Sequence, residues 1–258
     1  MGEIFNTLII NPIVNLLLVF YVFFTKLGIP GSLGFALIGL TVIIRFVLHP
    51  FYKQQMDLSK KMTNLKPELE TLQKKYKDDK QKLQHAQLQL YKDKGINPAG
   101  GCLVGLLQMP FILGLYNALN IFLQGGSIKT VIEQVNKIAY IDFLKISTID
   151  PIFFGFNLAK APSGFQTLGI HYLMIPVITF YLQYLQGKYT FPTPAKTVTV
   201  DGEKKGEDMS QIMSSQMKIM FPLMVGYFSY ILPVGLAIYW NVFSLFSVVQ
   251  YMGKSKSQ

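Results

Sequence analysis

Charge is scarce in this chain. Only 15% of its 258 residues are Asp, Glu, Lys or Arg, against about 25% in an ordinary soluble domain. A soluble core of this size would need a charged shell, so long uncharged stretches point to a bilayer as their surroundings. Cysteine is nearly absent. Cys102 stands alone, which excludes an internal disulfide framework and any cysteine-only metal site. Arginine is equally rare: Arg45 is the single one, and the other 23 basic residues are lysines. The sequence also lacks a phosphate-binding Gly-rich loop, a His-Glu-x-x-His pair and any carboxylate inside its apolar runs. ATP-driven transport, metalloprotease chemistry and carboxylate proton relays therefore have no support. Neither a cofactor, a small-molecule substrate nor an enzyme activity is expected. No basic region precedes the first apolar run, so neither a cleaved signal peptide nor an organelle-import segment is expected.

What is present is half hydrophobic. The pattern predicts an all-α integral membrane protein, a single membrane domain over 1–258. Five transmembrane helices are expected at 33–50, 102–122, 170–186, 219–232 and 236–252. The fourth is short for a crossing of about 20 residues. Residues 4–26 are apolar but interrupted by Asn6, Asn11, Pro12 and Asn15, and are read as an N-terminal interfacial amphipathic helix, with a crossing as the alternative. Gly28-Ile29-Pro30-Gly31 breaks any helix there.

The net charge of +10 sits mostly between these runs. Segments 51–100 and 187–218 and the C-terminal tail hold 11, 5 and 2 lysines, whereas Lys26, Lys129, Lys137, Lys145 and Lys160 lie on the other side. The positive-inside rule puts the lysine-rich set and the C-terminus in the cytoplasm and the N-terminal segment on the outer face. The basic blocks suit anionic lipid, and ribosomal RNA as a second partner. Within 51–98, Met62, Leu65, Leu69, Leu72 and Tyr76 form one helical stripe, and Leu83, Ala86 and Leu90 form another after Asp78-Asp79-Lys80. Two antiparallel helices make a cytoplasmic hairpin, with Pro67 bending its first arm or starting a new segment. Lys74, Lys75, Lys77, Lys80 and Lys82 crowd its tip. The segment 187–217 reads as a flexible cytoplasmic loop, broken by Pro192, Pro194, Gly202 and Gly206.

Arg45 is the feature that carries chemistry. It lies two-thirds along the first span, and arginine cannot shed its proton to escape burial. With no acidic partner in any span, it must meet water, lipid phosphate, backbone carbonyls or something outside this chain. One reading is a side chain snorkelling past His49-Pro50 to the headgroups. The sharper one is a hydrophilic groove open to the cytoplasm, lined also by Thr41, Gln108, Asn117, Gln183, Gln186, Asn241 and Ser244. Each of these polar residues, taken singly, is more often an interhelical hydrogen bond.

Arg45 with His49-Pro50-Phe51, then Leu65-Lys66-Pro67-Glu68 and Lys75-Tyr76-Lys77-Asp78-Asp79, resembles the YidC/Oxa insertases. So do Leu90-Tyr91-Lys92, Gly95-Ile96-Asn97-Pro98, Gly101-Cys102-Leu103, Leu107-Gln108-Met109-Pro110-Phe111, Pro233-Val234-Gly235-Leu236 and Tyr239-Trp240. Val104 replaces a usual proline, and Phe243-Ser244 stands where many members have Ser-Asn. Segment 124–168 is too short for the large outer domain of some members.

The resemblance implies a short-form insertase in a bacterial inner membrane. Its clients would be nascent membrane proteins, and its partners the ribosome and the Sec translocon. Arg45, Gln186 and Trp240 would be groove residues, with Gln183 less securely matched. No bond is made or broken: hydrophobic transfer of the client into lipid drives the step. A client held by charge would tolerate Arg45→Lys. The competing reading is a small transporter or channel for an anionic solute, against which the lack of inverted repeats and of an intramembrane acidic pair counts.

Overall fold

The computed structural model describes residues 2–76, 79–97, 100–123, 127–190 and 209–255, with the side chains of 80, 100–107, 190, 209–217 and 253–255 outside that description. The chain is almost entirely helical. α1 is Gly2–Lys26, a continuous helix long and apolar enough to cross a membrane. A π-helical turn at Asn6–Ile10 lets the Asn11 N–H reach the Asn6 carbonyl, one turn ahead of Pro12. Proline has no N–H and its ring crowds the carbonyl four residues back, and a widened turn accommodates both.

Gly28 and Gly31 both take positive φ, and the chain reverses into α2, Ser32–Val47. α1 and α2 pack antiparallel: Phe24 meets Phe35 at 5.6 Å, and the Phe20 ring lies where a β-carbon on Gly39 would stand. One face of α1, including Val14, Leu17 and Leu18, is buried in the common apolar core. Its other face leaves Ile4, Leu8, Val19 and Phe23 exposed. The helix expected to lie in the interface, with a crossing as the alternative, has spanning length and packs one face into the bundle. Asn15, read from sequence as an interruption, joins α1 to a distant loop: its Nδ2 donates to the Ile138 carbonyl at 3.0 Å and its Oδ1 accepts from the Tyr140 N–H at 2.7 Å.

α2 ends at Leu48, and α3, His49–Asn64, leaves at 66° with Pro50 in its first turn. The bend falls where proline removes a donor. Leu65 separates α3 from α4, Lys66–Lys75, which starts at Pro67 as the sequence suggests. α5 is Lys80–Asp93, capped by Asp79, whose side chain accepts from the Lys82 N–H. α4 and α5 are the two arms of the hairpin, closed at one end by Lys94 Nζ to Glu68 Oε1 at 2.7 Å. Within the expected hairpin 51–98, α3 also packs on the bundle through α6, Gly100–Leu123. α7, Ile128–Ile138, carries a strongly one-sided apolar stripe with Val131 and Val135 buried.

Beyond it lies a two-stranded hairpin, β1 Ile152–Phe153 and β2 Phe156–Asn157, pairing Phe153 with Phe156. The expected third span begins with a 3-10 turn at Ile170–Leu173, so its helix, α8, is Met174–Thr190. α9 is Met209–Ile231 and α10 is Val234–Ser255. The N–H groups of Val234 and Gly235 donate to the carbonyls of Lys160 and Leu158, which satisfies the first turn of α10 from a loop 75 residues away in sequence.

α1 and Val234–Met252 of α10 are long and apolar enough to span. The bent pair α2 and α3 passes the same test jointly, and Gln108–Leu123 and Lys218–Ile231 are shorter apolar helices. Large apolar side chains on the outward faces of α2, α8, α9 and α10, among them Phe46, Val177, Leu223 and Val249, are exposed. Apolar surface this extensive on these four helices fits a lipid surround and not water. Of the expected loop 187–217, residues 187–190 are helical and close α8, and residues 209–217 are helical and open α9, which corrects the loop's bounds; residues 191–208 lie outside the described residues.

Candidate functional site

The site is built where α2, α3 and α10 meet. Arg45 is one turn from the end of α2 and only 4% exposed. Its Nη2 donates to Ser247 Oγ at 2.8 Å and to Gln250 Oε1 at 3.0 Å. Its guanidinium carbon lies 4.1 Å from the centre of the Tyr52 ring and 4.4 Å from that of Phe243. Phe243, Ser247 and Gln250 recur at helical spacing, so they share one face of α10. Tyr52 arrives from the first turn of α3, two helical turns after Arg45 and just past the 66° bend. The Tyr52 hydroxyl donates to Gln108 Oε1 at 2.6 Å, which ties α3 to α6 across the site.

The charge has no carboxylate beside it. Nη1 and Nε are buried without a hydrogen-bond acceptor, so three of the five guanidinium N–H groups are unspent. Two aromatic faces offset part of the desolvation, at about 0.5–2 kcal/mol each. The hydroxyl and amide supply neutral acceptors. An unpaired donor in a water-poor site costs about 1–3 kcal/mol, so this arrangement leaves Arg45 stabilised incompletely and with capacity to accept an anion or water.

The other expected groove residues divide. Gln108 belongs to the cluster through Tyr52. Thr41 sits one turn before Arg45, buried, with its hydroxyl donated to the Leu37 carbonyl of its own helix at 2.7 Å. It is spent locally. Gln183 and Gln186 lie on α8, which packs along α10. Gln183 is buried, and Gln186 Oε1 is buried without a donor. Asn241 Oδ1 and Ser244 Oγ on α10 are likewise buried and unsatisfied. Trp240 is part of the apolar core. Among the described residues no hydrogen bond joins these α8 and α10 groups to Arg45. Asn117 is half-buried and bonded to its own helix at the Leu113 carbonyl.

Sequence reasoning missed Tyr52, Phe243, Ser247 and Gln250. It sought partners for Arg45 outside the chain, whereas two rings and two neutral acceptors stand within it. The Phe243-Ser247-Gln250 spacing was the available signal for three of the four.

On the hairpin, Lys74 and Lys75 are exposed, and Lys82 pairs with Asp79 at 3.0 Å. Lys77 and the Lys80 side chain lie outside the described residues. An open cleft of about 640 Å3 separates the arms, lined in part by Leu72, Tyr76, Ala86 and Leu90 from the two expected stripes.

The family described as 60Kd inner membrane protein matches residues 23–257. Among curated proteins, the chain is 30% identical to an inner membrane ALBINO3-like protein 2 of Chlamydomonas reinhardtii chloroplasts, over 87% of this chain and 50% of that one. It is 29% identical to the membrane protein insertase YidC of Streptomyces avermitilis, over 85% and 50%. It is 31% identical to that of Neisseria gonorrhoeae, over 86% and 33%. The chain thus spans half or less of the length of these relatives. A crystal structure of an active YidC insertase with its first transmembrane domain resolved shares the fold, with a TM-score of 0.53 at 24% identity over 91% of this chain and 44% of that one. With a family match running almost end to end, this chain belongs to the 60Kd inner membrane protein family, the family of the YidC and ALBINO3 proteins.

Proposed function

We propose that this chain lets nascent membrane proteins enter the bilayer, the work named for its Streptomyces and Neisseria relatives, and that it does so in a bacterial cell membrane. The observation that carries the reading is Arg45: a permanent charge, buried, without a carboxylate, and with three N–H donors unspent. Such a group is expensive to keep, and a client segment with acidic or polar groups would complete it. In this reading five spans (α2 continuing into its bend, α6, α8, α9 and α10) surround the site, with α1 beside them. The hairpin and C-terminus face the cytoplasm, as the lysine distribution favours.

Arg45 and the unsatisfied polar atoms of Gln186, Asn241 and Ser244 mark a polar path part-way into the hydrocarbon. Gln108 joins through Tyr52, while Gln183, Trp240 and Thr41 form its walls. A client's polar segment crosses along that path while its apolar helix slides into lipid, and apolar transfer drives the step without a nucleotide. In the conformation described here Arg45 is covered, and Tyr52 is the covering group on the helix that leads to the hairpin. Withdrawal of α3 would open the site from the cytoplasmic side. The lysines of the hairpin, Lys74, Lys75, Lys77, Lys80 and Lys82, would meet the ribosome, its RNA or anionic lipid, and the Sec translocon would be a lateral partner.

The test is insertion of a single-spanning client into proteoliposomes, with photo-crosslinkers at positions 45, 186 and 240. Crosslinks from all three to the client's translocated segment are expected. Crosslinks restricted to the exposed apolar faces, or solute flux through liposomes lacking any client, would sink the reading.

A further inference from the structure

The β1–β2 hairpin turns through Phe154 and Gly155, with φ of 48° and 83°. A two-residue turn with both residues at positive φ selects Asn or Gly, and a bulky aromatic there is strained. Phe154 is nevertheless 78% exposed, so the strain is not offset by burial within the chain. The strain holds the ring in a particular place. Phe154 lies 6.1 Å from Phe35 and 4.6 Å from Phe153, and Phe35 continues through Phe24 to Phe23, at 5.6 and 5.2 Å. An unbroken line of rings therefore runs from the hairpin tip to the exposed face of α1, where Phe23 stands free. The hairpin is pressed against this end by construction, because a β-carbon on Gly34 would collide with the Phe153 ring.

Phe143 repeats the arrangement on the next loop. It is exposed, and the Lys26 ammonium at the end of α1 lies 3.8 Å from its ring centre. Lysine at a span's end beside aromatic rings is the chemistry of the headgroup boundary.

We propose that Phe154 and Phe143 form a wedge that docks into the lipid leaflet beside the α1–α2 turn, holding the loops between α7 and α8 down on the membrane. The occupant is lipid because the rings extend the apolar face of α1 without a gap and a cation flanks them. The inference rests on α1 and α2 lying in the membrane, and it is independent of any insertase activity.

The experiment places tryptophan at Phe154, a conservative ring, in the full chain reconstituted in liposomes whose acyl chains carry bromine. Subtracting the parent protein's emission isolates residue 154 while Trp240 stays in place. Phe154→Trp and, separately, Phe143→Trp should be quenched at least half as strongly as Val19→Trp on the exposed face of α1. Gln84→Trp, at an exposed uncharged position on α5, gives the solvent level. Quenching of both ring variants at the Gln84 level, with Val19 quenched, overturns the wedge and leaves the membrane placement standing. Loss of quenching at Val19 as well overturns both. Shielding of residue 154 that rises with protein-to-lipid ratio assigns the surface to a second copy of the chain and also overturns the proposal.

Discussion

Around Arg45 a single positive charge is held by four side chains, two rings and two neutral acceptors, and is almost wholly enclosed. On α4 and α5 many positive charges are held by little: Lys74 and Lys75 are exposed, and the side chains of the pairs Lys94–Glu68 and Lys82–Asp79 are 41–72% exposed. The two regions are joined by α3, which begins at the buried site with Tyr52 and ends at the arms of the hairpin. In the low-dielectric region every contact of the charge matters energetically, because water is not there to replace it. In the solvated region the same ion pairs contribute little, about 0–1 kcal/mol each. A charged centre held by several side chains is thus connected by one helix to arms whose exposed ion pairs add little.

The largest expected effect comes from removing the buried charge. Replacing an enclosed, incompletely paired ion by an apolar side chain of similar length often leaves stability unchanged or raises it by about 1–4 kcal/mol. Arg45→Met should therefore keep or raise the thermal midpoint of the purified protein while abolishing insertion of clients with acidic translocated segments. Clients with uncharged, more hydrophobic segments should be spared. Arg45→Lys keeps the charge, and its ammonium can donate to acceptors such as Ser247 and Gln250, but it lacks the planar face that packs on Tyr52 and Phe243. It should insert acidic clients while lowering the midpoint. If Arg45→Met instead unfolds the protein and impairs all clients alike, the arginine is a structural tie, and the contrast between the two regions loses its functional meaning.

Next in size is the link between the regions. Tyr52→Phe retains the ring over Arg45 and deletes the hydroxyl bonded to Gln108. The loss leaves Gln108 Oε1 seeking a donor, at about 1–3 kcal/mol if it stays dry. Spin labels on α3 and α6 should show a wider distance distribution than in the parent, with insertion slowed less than in Tyr52→Leu, which also uncovers the guanidinium. Identical distributions in Tyr52→Phe and the parent would show that α3 is held by other contacts.

How much of this was legible beforehand follows the same division. Arg45 announces itself in the sequence because it is the one arginine and no carboxylate shares its spans. The hairpin announces itself because Leu72, Tyr76, Ala86 and Leu90 recur at helical spacing among lysines, and these residues line the cleft between its arms. Tyr52 does not: it stands seven residues after Arg45, a spacing that keeps one helix face, but Leu48 and Pro50 divide the two between helices bent by 66°, and only the structure shows the ring against the guanidinium. Nor does the enclosure of α1. Asn11, Pro12 and Asn15 read as defects in a span, because composition cannot reveal that a π-turn absorbs Pro12 or that Asn15 bonds a loop more than 120 residues on. Polar atoms in apolar helices show where something must be satisfied, while the partner is fixed by tertiary geometry that no local window contains.

A smaller effect tests the looseness of the hairpin. Glu68→Gln removes the ion pair with Lys94 that closes the arms, a contact with both side chains 45% exposed. The expected stability change is within about 1 kcal/mol. Labels at Thr71 and Gln89, on either wall of the cleft, should nevertheless report a broader separation, and raising salt should broaden the parent toward the variant. A cleft that keeps its width in both would place the arms under the same tight control as the buried site.

The smallest effect concerns Asp79, at the start of α5. Its carboxyl is held below the usual carboxylate range, first by the Lys82 backbone N–H and then by the Lys82 ammonium. The group is ionised more readily in the folded arm than in the unfolded chain. Its contribution is therefore fully present above the ordinary carboxylate pKa, and is lost as pH falls through the depressed folded value. The sign is the same as for any capping carboxylate: the ionised oxygen accepts from the free N–H groups of the first turn and faces the positive end of the helix. Amide exchange over the first turn of α5 should accelerate a few-fold between about pH 7 and pH 3 after correction for intrinsic rates, with the Arg45 cluster unaffected. Asp79→Asn, which still caps but cannot ionise, should flatten that dependence while keeping the turn formed at neutral pH. Asp79→Ala should show fast exchange at both. An unchanged parent across this range would mean that the first turn is held by contacts other than its cap, and that the hairpin is less dependent on exposed charge than its composition implies.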